Sequence, residues 1–566
     1  MTKGRTLARA LGALLAGAGA LVPPIGIATS LDPAATGARL EQLVAGAWFA
    51  KALLAFHGVW LFAAASRLDP ASRAAPLWEP PPASRELAGP RANLVFAALL
   101  CTAALLRWIG IHGDLWLDEV FALVDYLRLP LGQSVTSYPD DNQHLLYSIL
   151  AHVTVAGLGE NAAALRLPAL LLGLASLWAT LRLASLVVGR REALLVVALL
   201  TFSYHHVWFS QNARAYTGLL FATALSTELL LRALWRGHWS LWLAYAVSAA
   251  LGMGFHLTMI FAIGAHAMVV AALGAYRHPP APGRARPWLG FLLAGTLTLQ
   301  LYALLLPQLF DFFLRPSAGV TTAAVAWKSP LWLVAETLRG LAFGWPGVLA
   351  GGILLGAGVW SLWVRAPLAT ICFALPGALG VVTMIALDRN LWPRFFFNEL
   401  AFAAIFAVRG ACELGSRLAT RLEHTGPHWG TALAVALVAA SALTLPRGYR
   451  LPKQDFTGAH DFVLRQQRPG DRVVGIDLAG RAYRSYYAPG MPVAHTLEEL
   501  EALSATEGRT WILYTLGGFI ASTRPALWNT IQTQFEEVRA FPGTVGDGAI
   551  VVRRSLEKTA TSSELP

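Results

Sequence analysis

The 566-residue chain is 55% hydrophobic and only 14% charged, and its mean hydropathy is +0.51. That is too apolar for an ordinary soluble domain and the opposite of a disordered one, so the composition leaves a polytopic membrane protein. The net charge of +11 reads as arginine gathered in loops on one side of a membrane rather than as a nucleic-acid surface.

Windows of about 18 apolar residues, enough to cross roughly 30 Å of hydrocarbon, recur from the N-terminus to residue 446. The thirteen predicted spans are 7–29, 43–65, 93–111, 166–188, 193–210, 214–234, 239–255, 257–276, 288–308, 346–364, 367–387, 395–413 and 428–446. The first could instead be a signal peptide, although a second apolar segment follows it and no clean small-residue cleavage site is present. The Pro/Ala-rich stretch 69–91 reads as a linker. Cys101, Cys372 and Cys412 fall inside predicted spans as small core residues, which argues against a disulfide framework or a thiolate zinc site.

Arginine-rich segments at the N-terminus, 67–92, 189, 232, 276, 363 and 416 fall on one side of this arrangement, which is therefore the expected cytoplasmic side. The loops 112–165 and 309–345, the turns near 211 and 256, the short "DRNLWPR" at 388 and the C-terminal segment then face outward. The parity requires that the apolar stretch 145–159 lie on the outer surface or re-enter, as its fifteen residues suggest. From 451 onward the composition is that of a soluble domain. There "GAHDFVLRQQ", "TLEELEALSA" and "PALWNTIQTQF" read as helices, and "DRVVGIDL", "RTWILYTL" and "AIVVRR" as strands, which together make a small α/β domain. The chain thus divides into 1–92, two N-terminal spans and a linker; 93–450, a membrane domain with the outward loop 112–165; and 451–566, the extracytoplasmic α/β domain.

An ionisable residue near a membrane core is costly unless it is solvated, paired or functional. The adjacent acids Asp118 and Glu119 in "WLDEV" sit a few residues beyond a span, where a solvated loop start would be the ordinary explanation. They have company on the same outward side in "YPDDNQHLLY", "GENAAALRLP", "SQNARAY", "GFHLT" and "RNLWPRFFFNE". Acids, arginines and histidines together could bind an anionic head group and hold a base near it.

The order of these pieces resembles the GT-C membrane glycosyltransferases, in particular the protein O-mannosyltransferase and aminoarabinose-transferase superfamily, glycosyltransferase family 39. The likeness runs over about residues 93 to 415, through "WLDE", "NQHLLYSILAH", "ALRLPALLLGLASL", "FSYHHVWFSQNARAYTGLLFATALSTELLLRAL", "GFHLT" and "WPRFFFNELAFAAIFAVRG". The chain departs from the pattern in three places. Leu145 follows His144 where relatives have proline, Asn212 stands where they have glutamate, and a Lys beside Pro-Pro, a mark of the aminoarabinose transferases, is lacking. The two N-terminal spans also lie outside the usual pattern.

The resemblance implies an α-helical polytopic GT-C fold, of about thirteen spans here. It also implies an inverting transfer of a hexosyl or pentosyl unit from a polyprenyl-phosphate donor to a lipid, glycan or protein acceptor on the extracytoplasmic face. Asp118 would be the general base and Glu119 would orient it or the acceptor. Arg214 would bind phosphate, with Arg166 and Arg394 as further cations, and His144, Tyr216 and His256 would line the substrate site. A metal is not demanded, though Asp140 and Asp141 near His144 could hold a divalent ion. The expected location is a bacterial inner membrane, with a cytoplasmic N-terminus and a periplasmic or extracellular C-terminal domain. A transporter or flippase for a lipid-linked sugar is the alternative, and a non-catalytic assembly or sensor protein a third reading.

Overall fold

The computed structural model describes residues 2–65, 75–81, 89–140, 142–276, 285–314, 329–339, 344–422, 428–505 and 508–556. Most of the 69–91 linker, part of the 309–345 loop, the arginine-bearing segment 277–284 and Asp141 lie outside them. The chain forms two compact units. The first comprises Met1–Ile111, Leu129–Leu314 and Pro330–Leu445; the second joins His112–Arg128 to the chain from Pro446 onward.

The first unit is a helical membrane body. Eight of its described helices are long and apolar enough to cross a membrane, or eleven if each of three bent pairs is one span. Trp239–Phe255 and Met259–Tyr276 are apolar helices of marginal length, so every predicted span coincides with helix. Three predicted spans are not straight. Segment 7–29 bends by 87° between Leu21 and Pro24, where consecutive prolines remove backbone donors. Segment 193–210 bends by 63° at Ser203, which starts a new helix by capping the His206 N–H. Segment 288–308 bends by 95° after Tyr302. The apolar stretch 145–159 is a helix, Leu145–Leu158, of 14 residues, too short to cross alone.

Large apolar side chains such as Trp345, Leu331 and Val364 are widely exposed, as a lipid-facing surface requires. Cys372 and Cys412 are buried, whereas Cys101 is exposed on its helix rather than packed in the core. Two groups of charges within the body are paired: Glu228 accepts from Arg182 and Arg232, and Arg409 joins Glu192 to Glu413.

The second unit is built on a five-stranded sheet in the order β2-β1-β3-β5-β4: β1 Arg472–Ile476, β2 Val493–Ala494, β3 Thr510–Tyr514, β4 Phe535–Phe541 and β5 Ile550–Ser555. β1 pairs in parallel with β2 and β3, while β5 is antiparallel to both β3 and β4. The "TWILY" run of β3 is buried throughout, as a central strand covered on both faces must be. The sequence pointed to three strands, and β2 and β4 are additional. β2 is only two residues long, and β4 is an edge strand whose "FEEVRAF" carries Glu536, Glu537 and Arg539, charges that suit an edge and mask the strand pattern.

His112–Arg128 folds with this sheet domain. It forms the short helix Leu117–Ala122 and runs on through a π-helical turn, Leu123–Leu127.

Candidate active site

Helix Pro90–Ile109 ends against the corner between the helices Tyr204–Ser210 and Tyr216–Arg236. Arg107, completely buried, donates to the hydroxyl of Ser210, to the carbonyls of Ala103 and Leu200, and to Nδ1 of His206 at 2.7 Å. An arginine cannot accept, so that nitrogen is the bare one, and the opposite nitrogen of His206 donates to Ser176 Oγ at 3.0 Å. Gln211 donates to the carbonyls of Leu106 and Arg107, the orphan acceptors of the helix end. The first half of "SQNAR" therefore fixes where one helix stops, and the second half presents Arg214 at the start of another.

Arg214 is 3% exposed and donates from one terminal nitrogen to the carbonyl of Asn142 at 2.8 Å, while its Nε is buried without a partner. Around it stand His144, Tyr216 and His256, with ring centroids 5.0–5.7 Å apart. His144 Nδ1 lies 3.2 Å from the Phe255 carbonyl and so carries the proton; its Nε2 is buried and unbonded. His256 has the opposite tautomer, because its Nδ1 accepts from the Thr258 N–H at 3.2 Å. The Tyr216 hydroxyl and the Asn142 side-chain nitrogen are likewise buried and unbonded. Burial first, then the positive charge of Arg214, pushes His144 well below the usual imidazole range. Burial, with Arg214 and Arg394, pushes His256 down to about 3. Phe395 packs on His256, and Arg394 lies over the rings of Trp392 and Phe395.

Of the residues singled out in the sequence, His144, Arg214, Tyr216, His256 and Arg394 come together here. Arg166 is almost fully buried and donates to the carbonyl of Ile111 at 3.0 Å. Asn142 and Arg107 were missed. Asn142 sits in the quoted "YPDDNQH" but bears no charge, and Arg107 reads as an ordinary arginine at a span end.

Asp118 and Glu119 belong to the sheet-bearing unit, in the first turn of Leu117–Ala122. Asp118 is half-buried. Glu119 is completely buried; one oxygen accepts from the Trp116 N–H at 3.2 Å, and the other lies 3.8 Å from Lys453 Nζ. Among the described residues no three His, Cys, Asp or Glu side chains gather as a metal site.

Buried donors around an arginine are a chemistry that suits an anionic, oxygen-rich group. Residues 145–302 match the family model described as dolichyl-phosphate-mannose-protein mannosyltransferase. No curated protein matches the chain. Among solved structures, ArnT from Cupriavidus metallidurans in the apo state is similar with a TM-score of 0.49 at 11% identity, over 82% of this chain and 98% of that one. The same protein bound to undecaprenyl phosphate gives 0.48 at 12%, over 83% and 99%. The archaeal oligosaccharyltransferase AglB from Archaeoglobus fulgidus, in complex with an inhibitory peptide and a dolichol-phosphate, gives 0.47 at 10%, over 79% and 73%.

Proposed function

We propose that the protein transfers a sugar from a polyprenyl-phosphate-linked donor to a lipid, glycan or protein acceptor on the extracytoplasmic face of a bacterial inner membrane. The observation that carries this reading is the group of buried, unpartnered polar atoms on Arg214, Tyr216, Asn142 and His144. Each is costly unless a ligand or an ordered water completes it, and a sugar phosphate offers the acceptors and hydroxyls that would do so. The neutral histidines leave the arginines as the fixed positive charge, matched to a phosphodiester whose charge does not change near neutral pH.

In the reaction Asp118 takes the proton of the acceptor hydroxyl. That oxygen forms a new bond to the anomeric carbon with inversion, and the bond from the anomeric carbon to the phosphate oxygen breaks. Polyprenyl phosphate leaves with the electron pair, its charge stabilised by Arg214 and Arg394. Glu119, which accepts from the Trp116 N–H and lies beside Lys453, orients Asp118 or the acceptor. Arg166, which also donates to the Ile111 carbonyl just past the helix Pro90–Ile109, is a further cation for the phosphate. The N-terminus lies in the cytoplasm, and the sheet domain outside.

The test is a lipid and glycan profile of cells lacking the gene, restored with wild type or with Asp118→Asn. One glycoconjugate should lose a single sugar while its polyprenyl-phosphate precursor accumulates, and only wild type should repair it. Repair by Asp118→Asn would end the assignment of the base and favour a transporter of the lipid-linked sugar.

A further inference from the structure

We propose that Lys453 and Gln454 are positioning residues for the acidic loop, so that the sheet domain is part of the catalytic apparatus rather than an appendage. The proposal rests on the reading of Asp118 as the base.

The loop His112–Arg128 is held by residues more than 300 positions away in sequence. The Thr457 N–H donates to Asp114 at 3.1 Å, and the Tyr487 hydroxyl donates to the Leu115 carbonyl. Arg481 pairs with Asp125 and lies over the ring of Phe121, and Arg128 donates to the Ser485 carbonyl at 3.0 Å.

The two contacts nearest Asp118 come from adjacent residues. Gln454 accepts the backbone N–H of Leu117 at 2.8 Å, on one side of Asp118. Lys453 lies 3.8 Å from the carboxylate of Glu119, on the other. Both anchors are rigid. Gln454, 1% exposed, spends its amide hydrogens on Thr515 Oγ1 and the Gly548 carbonyl, each at 3.0 Å, so its oxygen can point only at Leu117. The Lys453 carbonyl accepts from the Val545 N–H at 3.1 Å, and a Cβ on Gly543 would come within 2.2 Å of it, so the backbone there is tightly packed. Lys453 itself is 9% exposed beside a fully buried carboxylate, and removing one charge of a buried pair is costly to the other. Asp118 is the half-exposed carboxylate between two fixed points. This arrangement orients a base without touching substrate.

The experiment uses the full chain in lipid nanodiscs. Hydrogen exchange over residues 115–121 is compared between wild type, Lys453→Met, Lys453→Arg, Gln454→Leu and Gln454→Glu, together with equilibrium binding of undecaprenyl phosphate. The rate at which each variant restores the missing sugar in cells is measured alongside. Lys453→Met and Gln454→Leu should raise exchange by about tenfold or more. They should lower transfer by about 100-fold, the scale of a misplacement near 1 Å, and leave binding of the lipid phosphate within about twofold. Lys453→Arg, which keeps the charge, should recover most of the rate, a rescue that a merely structural defect would not show.

Unchanged exchange in both truncating variants, or raised exchange with undiminished transfer, overturns the proposal. If a truncating variant does not fold, Gln454→Glu and Lys453→Arg decide by the same readouts. Full activity in Asp118→Asn would instead refute the reading of the base, while the exchange data would still decide whether 453–454 hold the loop.

Discussion

Arg214 and Arg166 show how much a guanidinium's surroundings decide. Both are buried arginines near the start of long helices, yet Arg166 satisfies a backbone carbonyl at a helix end while Arg214 keeps Nε unmatched among other unmatched donors. The motif order brought out Arg214, His144, Tyr216, His256 and Arg394 together, because a charged or aromatic residue at a span end is conspicuous in an apolar sequence. It did not tell what each arginine contacts, since an arginine at a span end looks the same whatever it donates to. Nor did it find Asn142, whose importance lies in a carbonyl that accepts from Arg214 and an amide with nothing to donate to. The difference is testable through the geometry of the guanidinium. One arm of Arg214 is committed to Asn142, leaving Nε for phosphate, and a lysine cannot serve both. Arg214→Lys should weaken binding of undecaprenyl phosphate to the purified full-length protein by about tenfold or more, the equivalent of one lost charge-assisted hydrogen bond. Arg166→Lys should change it far less. Equal losses from the two substitutions, or none from Arg214→Lys, would remove Arg214 from the phosphate site.

At the level of elements, hydropathy locates the helices but not their bends or their close approaches. The breaks at residues 22–23, 202–203 and 303–305 fall inside segments whose average hydropathy stays high, so a window average passes over them. The edge strand Phe535–Phe541 was hidden for the converse reason, its charges resembling those of a solvated helix end. Glycine carries information that hydropathy discards. In the helix Gly344–Arg365 a Cβ on Gly358 would lie 1.8 Å from the Phe406 carbonyl oxygen, and across the contact one on Gly410 would lie 1.9 Å from the Leu354 carbonyl oxygen. The backbones of Gly344–Arg365 and Leu400–Arg421 therefore touch, which only a residue without a side chain permits. Gly352 and Gly356, on the same helix, face open space. Gly358→Ala should destabilise the body by about 1–3 kcal/mol through overpacking, read as a lower melting temperature in detergent. Gly356→Ala, which adds a methyl where nothing is near, should be neutral or slightly stabilising. A Gly358→Ala protein as stable as wild type would show that the two helices do not meet in this way.

For the whole molecule, composition separates 451–566 from the membrane body because charges recur every few residues there, but it gives no sign that His112–Arg128 belongs with that segment. The loop is short, half apolar and far away in sequence, and its partners are single polar side chains whose pairing no periodicity reveals. The consequence is that the sheet domain cannot be removed without exposing the loop. A chain ending at Arg450 lacks Lys453, Gln454, Thr457, Arg481, Ser485 and Tyr487, which supply the contacts to Asp114, Leu115, Leu117, Glu119, Asp125 and Arg128. Glu119 then loses the Lys453 cation, and the Leu117 N–H the Gln454 acceptor. The helices of the body keep their own core, including the packing among Leu177, Leu230, Tyr245 and Phe402. Such a truncated protein should insert and stay folded as a body while residues 112–128 open. In limited trypsin digestion, cleavage after Arg128 should therefore become faster by about tenfold or more, following the increased population of the open loop, while the rest of the body keeps its wild-type pattern. Unchanged protection at Arg128 would mean that the loop is stable without the sheet, and the domain would then have to be explained by what it does beyond holding Asp118.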